Sequence, residues 1–335
     1  MPAEKRNLYN NMEKIRIGIV GYGNVGKGAI KAVNAAPDME LGGIFTRRDP
    51  ALLETDGCDF AVFPVSAAEK MTGDIDVMLL CGGSATDLPE QGPYYASLFN
   101  TVDSYDNHTD ILNYMEAIGA AAKNTTAIMA AGWDPGLFSI MRIFSESILP
   151  DGASYTFWGK GVSQGHSDAI RHIEGVRHAV QYTIPVGSAV DAVRSGTRPE
   201  LSVRDKHLRE CFVVAQPGAD KASIEESIKS MPHYFADYDT TVSFIETDEF
   251  MAKHSSMPHG GMALRSGNTG ENTHVMELSL KLDSNPEFTG SILAVYARAA
   301  FRMSGEGLFG VKTVFDVPPS YLSEKDRRSL IKELL

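Results

Sequence analysis

Short apolar runs alternate with segments of helical pattern from Ile15 to Gly132. The runs read IRIGIV, MELGGIFT, IDVMLLC, NTVDSY and TTAIMAAG, and a helix is predicted from about Asn24. Strands that helices cover on both faces are nearly continuous in apolar residues, whereas half-exposed strands alternate. The pattern therefore predicts an α/β fold with a doubly wound parallel sheet over residues 13–132.

The pattern of hydrophobic and polar residues changes after residue 132. The stretches HAVQYTIPV, HLRECFVVAQP, TTVSFIET and HVMELSLKL alternate, which predicts a mixed or antiparallel sheet in residues 133–282. The tail, residues 283–335, contains the helical pattern EFTGSILAVYARAAFRM and then SEKDRRSLIKELL, a helix that its first serine would cap. This tail is expected to return to the first domain. Residues 1–12 are polar and are interpreted as an extension before the fold.

Composition narrows the possible partners. A net charge of -12 and a pI near 5.2 argue against a nucleic-acid partner, which needs a basic surface, so a small-molecule ligand is favoured. No apolar run approaches the roughly 18 residues that span a bilayer. Three cysteines, Cys58, Cys81 and Cys211, show no paired spacing, which indicates neither disulfides nor a metal site and fits a cytoplasmic location.

A glycine-rich turn follows the first predicted strand. IRIGIVGYGNVGKGAI places Gly21, Gly23 and Gly26 between a predicted strand and a predicted helix. In dinucleotide-binding folds these glycines permit a tight turn, a close pyrophosphate and a close helix, and the helix amino terminus offers N–H groups to the anion. A glycine-rich turn without a ligand is the alternative. The candidates for dinucleotide binding here are Gly21, Tyr22, Gly23, Asn24, Val25 and Gly26.

Basic residues end the second predicted strand, where an NAD-binding fold usually has an acidic one. Thr46, Arg47 and Arg48 of FTRRDP occupy this position. A carboxylate would repel a 2'-phosphate, whereas a guanidinium binds it with paired hydrogen bonds. The stretch predicts NADP as the cofactor. Two alternatives stay open: the arginines are solvated loop charges, or Asp49 reaches a ribose and permits the use of NAD.

The next cofactor candidate is the loop CGGSAT after the run IDVMLL. Small residues at the carboxyl edge of a parallel sheet line the cofactor in such folds, although an ordinary tight turn has the same composition. The candidate residues of this loop are Cys81, Gly82, Gly83, Ser84, Ala85 and Thr86.

Several further stretches are more particular than a fold-level pattern. They read SATDLPEQGP, TVDSYDNH, GWDPGLFSI, TFWGKGVSQGHSDA, AVQYTIP, CFVVA and MPHGGM. With GYGNVG and FTRRDP, they resemble the meso-diaminopimelate dehydrogenase family from about Arg16 to the carboxyl-terminal helix. The resemblance implies NADP-dependent oxidative deamination of the D-centre of meso-2,6-diaminopimelate to L-2-amino-6-oxopimelate, ammonia and NADPH. It also implies a homodimer.

The resemblance assigns substrate contacts residue by residue. The contacts with the D-amino-acid end fall on Asp106, Asp134 and Trp158. The contacts with the distal L-amino-acid end fall on Thr183, Arg209, His259 and Asn285. Gln164 and Gly165 of the TFWGKGVSQGHSDA stretch complete the substrate-binding candidates.

Two of these residues, Asp106 and Asp134, are the catalytic candidates. Oxidative deamination needs an unprotonated amine and a water that attacks the imine, and a carboxylate can hold the ammonium, relay its proton or activate the water. The sequence does not say which aspartate is the base. From the residues alone, Asp106 is equally a turn cap before a helix, and Asp134 before Pro–Gly is more typical of ordinary turn chemistry than of a catalytic group.

The remaining candidates have plainer alternatives. Trp158 is more typical of a core than of a substrate wall, and a loop histidine such as His259 is usually solvated. Arg209 interrupts an apolar strand, so it either faces solvent or is buried and needs an anion, for which a substrate carboxylate is suitable. Thr183 and Asn285 depend entirely on the resemblance.

Two other functions compete with the implied one. The first is another Rossmann enzyme of the aspartate pathway, such as homoserine dehydrogenase or dihydrodipicolinate reductase, which would lack the combined YDNH, GWDPG and MPHGG stretches. The second is a regulator that senses the NADP redox state without turnover. A sensor needs no amino-acid clamp, so the paired aspartates and the distal arginine favour an enzyme.

Overall fold

The computed structural model describes residues 14–53 and 60–335. The predicted extension over residues 1–12, and Cys58, lie outside the described residues. The described chain divides into two compact units. The first comprises residues up to Ile140 together with Pro286–Leu335, and the second comprises Met141–Asn285.

The elements follow one another in this order along the chain. The strands are β1 (Ile15–Val20), β2 (Met39–Thr46), β3 (Val62–Pro64), β4 (Val77–Leu80), β5 (Asn100–Asp103), β6 (Thr126–Ile128), β7 (Gly152–Trp158), β8 (Gly161–Val162), β9 (Val176–Pro185), β10 (His207–Ala215), β11 (Asp239–Phe244), β12 (His259–Thr269), β13 (Asn272–Leu282) and β14 (Gly310–Lys312). The α-helices are α1 (Asn24–Ala35), α2 (Leu88–Ala96), α3 (Ile111–Ala121), α4 (Leu137–Ile148), α5 (Gln164–Arg171), α6 (Gly187–Arg194), α7 (Val203–Lys206), α8 (Lys221–Lys229), α9 (Thr247–Lys253), α10 (Asn285–Gly305) and α11 (Arg327–Leu334). Short 3-10 helices cover Pro50–Leu52, Val65–Met71, Val314–Asp316 and Pro319–Tyr321.

The first unit contains a seven-stranded parallel sheet in the order β14-β6-β5-β4-β1-β2-β3. Successive strands are added outward from β1, first on the β2 side and then on the β4 side, so the strand order reverses between β1 and β4. All four residues of β4 are buried, as is every residue of β1 except Arg16. The predicted doubly wound parallel fold is confirmed, and its ligand edge is the one at the carboxyl ends of the strands.

The second unit contains two sheets. In the four-stranded sheet β11-β10-β9-β8, β10 pairs with β9 antiparallel and with β11 parallel. The three-stranded sheet β13-β12-β7 is antiparallel. The alternating stretches predicted strands but could not assign them to separate sheets, because alternation marks a half-buried face and carries no pairing information.

One face of the four-stranded sheet packs on helices α5 and α8. The core there includes Ile170, Val213 and Ile228, all fully buried. Side chains of a strand alternate between faces, so Arg209 shares this face with Val213. A cation therefore lies on the helix-covered side of the sheet rather than on a solvated one.

Two local predictions were wrong. The last helix is capped by Asp326 rather than by Ser323: the Asp326 carboxylate accepts the N–H groups of Arg328 at 2.8 Å and Ser329 at 3.0 Å. Ser323 instead caps a turn, its Oγ accepting the Lys325 N–H at 3.1 Å. His259, predicted in a loop, is the first residue of β12, because the glycines that follow it pair with β13.

Helices α1 and α10 of the first unit cross where each has a glycine. A Cβ at Gly28 would lie 2.6 Å from the carbonyl oxygen of Pro286, and one at Gly290 would lie 2.3 Å from the Ala29 nitrogen. The buried Arg298 of α10 also binds Asp38 through two nitrogens, each at 2.6 Å. The long carboxyl-terminal helix is thereby held against the helix that follows the glycine-rich turn.

Candidate active site

The glycine-rich turn has the geometry of an anion site. Gly21 has a φ of +99°, and a Cβ at Gly26 would lie 2.1 Å from the Gly21 carbonyl oxygen, so α1 begins directly against the turn. Gly23 is the N-cap of α1, and a Cβ there would meet no described atom within 4 Å. No side chain of a described residue caps α1, and its first turn has no acidic residue. The loop therefore fits a pyrophosphate, whose oxygens would accept the amino-terminal N–H groups.

The residues that end β2 have different environments. Thr46 is buried, and its Oγ1 accepts the backbone N–H of Arg48 at 3.1 Å. Arg48 donates from Nη2 to the Tyr22 carbonyl oxygen at 3.1 Å, which ties this turn to the glycine-rich turn. Arg47 is 68% exposed, and its Nη2 lies 2.7 Å from Asp87 Oδ1. Both arginines are exposed, and they differ in their partners: Arg47 pairs with a carboxylate, whereas Arg48 binds a backbone carbonyl oxygen.

Asp49, the acidic alternative for ribose binding, has a local role. Its Oδ1 accepts the Ala51 N–H at 3.0 Å and caps the 3-10 helix Pro50–Leu52. Asp before such a turn is common because the carboxylate satisfies a backbone donor. Capping therefore accounts for this carboxylate without a ribose.

Asp87, which sequence reasoning did not single out, connects two cofactor candidates. Its Oδ2 accepts the Gly83 N–H at 2.9 Å, while its Oδ1 pairs with Arg47. Arg47, Thr86 and Asp87 line a cavity of about 490 Å³ together with Tyr95. The only sequence signal was an acidic residue directly after the small-residue loop, which is also an ordinary first position of a helix.

The small-residue loop after β4 starts beside the glycine-rich turn. The Cys81 N–H donates to the Val20 carbonyl oxygen at 2.9 Å, and burial raises the pKa of the Cys81 thiol to about 12. Cys81 is therefore a neutral thiol at this position. Ser84 accepts, through Oγ, the backbone N–H of Asp106 at 3.2 Å, so the cofactor candidates contact a catalytic candidate.

Asp106 and Asp134 follow the neighbouring strands β5 and β6. Asp106 is exposed and is not a helix cap, since α3 has Asp110 as its N-cap. Asp134 is half-buried in a tight turn, in which a Cβ at Gly136 would lie 1.7 Å from the Gly132 carbonyl oxygen. Because β5 and β6 are parallel neighbours, both aspartates lie at the carboxyl edge of the sheet.

Arg209, in the second unit, is a buried guanidinium without a carboxylate partner among the described residues. It is 6% exposed; Nη1 donates to Thr183 Oγ1, and Nε has no hydrogen-bond partner there. The ring of Tyr238 lies 3.9 Å from Arg209 Cζ. Burial lowers the pKa of Arg209, which reflects the cost of holding this charge away from water.

Trp158 is supported by a histidine that sequence reasoning missed. The indole is 39% exposed and stacks on His207 with ring centroids 5.3 Å apart. His207 Nε2 accepts the backbone N–H of Trp158 at 2.8 Å. Burial, followed by the charges of Arg209 and Lys206, lowers the pKa of His207 to about 4, so the acceptor nitrogen stays unprotonated near neutral pH.

His259 packs directly over a glycine. A Cβ at Gly161 would lie 2.6 Å from His259 Cγ, so only glycine leaves room for the ring. The Gly260 N–H donates to His259 Nδ1 at 2.8 Å. Nδ1 also lies 3.1 Å from the Gly260 carbonyl oxygen. Burial lowers the pKa of His259, which favours the neutral ring, and a neutral imidazole can donate one hydrogen bond.

Gln164 and Asn285 both contact Met257. Gln164 Nε2 lies 3.1 Å from the Met257 sulfur, and the Asn285 N–H donates to the Met257 carbonyl oxygen at 3.1 Å. Gly165 follows in the first turn of α5, and a Cβ there would meet no described atom within 4 Å. Gln164 and Gly165 follow directly after β8, and β8 pairs with β9 through Gly161 and Thr183. The strand pairing therefore brings these two candidates near Thr183.

The predicted site residues thus form one set in each unit. The cofactor candidates, Asp106 and Asp134 lie along the carboxyl edge of the parallel sheet, and the other substrate candidates lie around β8, β9 and β10. Among the described residues, no three His, Cys, Asp or Glu side chains are grouped so that they could hold a metal ion. No helix in residues 14–53 and 60–335 is long and apolar enough to cross a membrane.

Comparison with known proteins decides the family. A family model described as the diaminopimelic acid dehydrogenase C-terminal domain matches residues 132–284. The meso-diaminopimelate D-dehydrogenase of Acetivibrio thermocellus is 58% identical over 329 residues, 97% of this chain and 98% of that protein. The chain belongs to the meso-diaminopimelate D-dehydrogenase family. Sequence resemblance had indicated this family, and the indication is confirmed.

Solved structures agree with this membership. A multiply substituted meso-diaminopimelate dehydrogenase from Clostridium tetani, with DAP, superposes with a TM-score of 0.91 and 51% identity, covering 96% of this chain and 100% of that one. An engineered D-amino acid dehydrogenase bound to NADP+ has a TM-score of 0.84 and 43% identity, with 96% and 100% of the chains covered. The family's fold therefore extends over nearly the whole chain.

Proposed function

We propose that this chain is a meso-2,6-diaminopimelate D-dehydrogenase that uses NADP. It would deaminate the D-centre reversibly to L-2-amino-6-oxopimelate, ammonia and NADPH. The observation that carries the proposal is Arg209, a buried guanidinium that has no carboxylate partner among the described residues and has an unpaired Nε. A buried cation is costly unless an anion pairs with it, and an amino-acid substrate brings a carboxylate.

The distal L-amino-acid end would be held by the residues around Arg209. The guanidinium binds the carboxylate, and the His259 imidazole donates to the same group. Thr183 accepts from Arg209 and so fixes its orientation. Asn285 offers a neutral amide to the distal ammonium. A clamp on the L-centre makes the D-centre the reactive one, which would distinguish the meso isomer from the LL and DD isomers.

The D-centre would be handled by Asp106, Asp134 and Trp158. When bound, NADP supplies the redox step by accepting a hydride from the substrate Cα. One aspartate holds the substrate ammonium and takes its proton, and the other orients the water that hydrolyses the imine. Trp158 offers its half-exposed indole as a wall, kept in place by His207.

The cofactor would be NADP rather than NAD because Arg47 and Arg48 follow β2, at the position where a dinucleotide-binding fold contacts the 2' substituent of the ribose. Arg47 is exposed beside a cavity of about 490 Å³, and Thr46 and Arg48 shape the same turn. NADP binding would exchange the Arg47–Asp87 ion pair for a phosphate contact of higher charge. The glycine-rich turn supplies backbone N–H groups to the pyrophosphate.

The proposal also covers domain roles and assembly. Residues 13–132 would bind NADP, residues 133–282 would bind substrate and form a homodimer, and residues 283–335 would support the NADP domain. The assembly proposed for the chain is a homodimer. The exposed apolar residues Ile143, Phe144 and Ile148 of α4 favour it.

Size-exclusion chromatography with light scattering tests the homodimer, and a monomer at micromolar concentration contradicts it. A cytoplasmic location is part of the same proposal.

One assay tests the function. Purified protein is incubated with NADP and the meso, LL or DD isomer of diaminopimelate or, as another aspartate-pathway substrate, homoserine. The absorbance of NADPH and the release of ammonia are followed. Equal amounts of NADPH and ammonia with the meso isomer are expected. NADPH formation with another aspartate-pathway substrate instead would indicate a different dehydrogenase, and NADP binding without turnover on any isomer would indicate a sensor.

A further inference from the structure

Asp103, the last residue of β5, is a buried carboxylate with three hydrogen-bond donors around it. It is 1% exposed. Its Oδ1 accepts the backbone N–H groups of Tyr105 at 2.9 Å and Ala130 at 3.1 Å, and its Oδ2 accepts the hydroxyl of Tyr114 at 2.8 Å. Its own carbonyl oxygen accepts the Ala131 N–H at 2.8 Å. One residue at the end of β5 therefore binds the chain that leaves β5 and the chain that leaves β6.

These two chain segments lead to the two candidate catalytic aspartates. Tyr105 directly precedes Asp106, and Ala130 lies four residues before Asp134. Because both backbone donors share Oδ1, a single atom sets the separation between the two segments at this point. The Asp106 N–H is in turn bound by Ser84, so the turn after β5 is held on two sides.

Ala130 adopts a backbone conformation that needs such support. Its φ is +54°, in the left-handed region that residues other than glycine rarely occupy. A strained residue keeps this conformation only when its surroundings hold it there. The N–H of Ala130 is bound by the Asp103 side chain, and the next N–H is bound by the Asp103 main chain. Asp103 thus provides the contacts that hold the turn before Asp134.

We propose that Asp103 is a positioning residue, which fixes Asp106 and Asp134 relative to each other without touching the substrate. The proposal rests on the proposed function only for the roles of those two aspartates. Asp103 contributes through geometry at Oδ1 rather than through its charge, since both backbone donors point to that oxygen and the third donor is a hydroxyl that can reverse its direction.

Three substitutions of similar size at this hydrogen-bond cluster should have different effects on kcat. In Asp103→Asn, Oδ1 keeps both backbone donors and the new amide donates to the Tyr114 hydroxyl, so kcat should stay within about threefold of the original. In Asp103→Leu both backbone donors lose their acceptor, and kcat should fall by about 100-fold while the Kd for NADP changes little. Tyr114→Phe is the matched control, because it removes one hydrogen bond to the same carboxylate but leaves Oδ1 untouched.

A rescue experiment distinguishes positioning from general stability. Glycine adopts a positive φ without strain, so in Ala130→Gly residue 130 no longer needs the hydrogen bonds from Asp103 to keep this conformation. In the Asp103→Leu background, Ala130→Gly should recover kcat at least about threefold, although it adds no contact. Because kcat is counted per folded protein, a merely structural role for Asp103, which changes only the folded fraction, would give no rescue.

Amide hydrogen exchange gives a readout that does not depend on turnover. In the unsubstituted protein and in Asp103→Asn, the N–H groups of Tyr105, Ala130 and Ala131 should be strongly protected, and Asp103→Leu should expose the first two. This measurement still applies if the protein proves inactive on meso-diaminopimelate. If Asp103→Leu does not fold, the protection of the three amides is compared between the unsubstituted protein and Asp103→Asn alone. Unprotected amides in the unsubstituted protein, full kcat in Asp103→Leu, or no rescue by Ala130→Gly would each overturn the proposal.

Discussion

Arg209 shows how one residue determines what a site can bind. Its charge is buried, its Nε is unpaired among the described residues, and Tyr238 covers the guanidinium plane. Arg209→Met keeps much of the volume but removes the charge. We expect the KM for meso-diaminopimelate to rise by about 10- to 100-fold, the loss of a hydrogen-bonded charge contact.

The matched measurement for Arg209→Met is the KM for NADP, which should stay unchanged because the cofactor candidates lie in the other unit. Arg209→Lys is a second variant, in which the charge remains but the paired N–H geometry is lost. It should lie between the original protein and Arg209→Met. Equal losses of substrate and NADP affinity in Arg209→Met would mean that the fold, rather than the substrate contact, was damaged.

His207 makes stability depend on pH. Its pKa is about 4 in the folded protein and 6.5 as an unperturbed group, so the folded state binds fewer protons between these values. The contribution of neutral His207 to the free energy of unfolding is therefore fully present above pH 6.5. This contribution is lost as the pH falls toward 4, because the unfolded state takes up the proton first. His207 alone should account for about 3 kcal/mol of this loss.

Urea unfolding at several pH values, with His207→Phe beside the original protein, measures this contribution. Phenylalanine keeps a ring against Trp158 but cannot titrate. From pH 6.5 to pH 4, the original protein should lose about 3 kcal/mol more of its free energy of unfolding than His207→Phe does. Parallel curves would show that His207 titrates normally in the folded protein.

At the scale of elements, the crossing of α1 and α10 depends on two glycines. A Cβ at Gly28 would lie 2.6 Å from Pro286 backbone oxygen, and backbone atoms cannot move aside as a flexible side chain can. We expect Gly28→Ala to lower the free energy of unfolding by about 1–3 kcal/mol, the usual cost of overpacking. Differential scanning calorimetry or urea unfolding would measure this change.

Gly305→Ala is the control for that change. Gly305 ends the same helix α10, and a Cβ there would meet no described atom within 4 Å. The substitution should be neutral or should stabilise by up to about 1 kcal/mol, since alanine favours helix. If both alanine variants behave alike, close packing at the crossing is not what requires glycine at position 28.

The elements also show how far hydrophobic pattern extends. IRIGIV and MELGGIFT are β1 and β2 to the residue, because strands covered on both faces carry a local apolar signal. The division of later strands into two sheets depends on pairing between distant segments, which no local pattern encodes. The Asp326 cap was missed for a smaller reason: Ser323 and Asp326 are both good caps, and only the helix start decides between them.

The same division between local and distant information applies to the site. The glycine-rich turn could be predicted because its turn, helix and anion geometry lie within six consecutive residues. Asp87, His207 and Tyr238 could not, because each acts on a residue from another element: Arg47, Trp158 and Arg209. The family resemblance identified the residues assigned to substrate but not the ones that hold them in place.

At the scale of the whole molecule, the acidic composition makes NADP binding depend on the two arginines of FTRRDP. A chain of net charge -12 repels a multiply charged anion at long range, so binding of NADP must come from local contacts. A ligand that binds only the folded state stabilises it, by about 2.7 kcal/mol at 100 times its Kd. NADP should therefore raise Tm in a concentration-dependent way.

Replacing both Arg47 and Arg48 with alanine should shift that response without abolishing it. The pyrophosphate would still bind the glycine-rich turn, but the 2'-phosphate would lose its cations, so about 10- to 100-fold more NADP should be needed for the same rise in Tm. NAD is the internal control, since it lacks the 2'-phosphate: any change in its effect on Tm reports the lost contact between Arg48 and Tyr22, and it should be much smaller than the change for NADP. The NADP effect should also weaken with added salt in the unsubstituted protein and do so less in the variant, because screening acts on the charge pair that the variant lacks. An unchanged NADP response in the double variant would mean that the FTRRDP arginines are solvated loop charges and that the preference for NADP arises elsewhere.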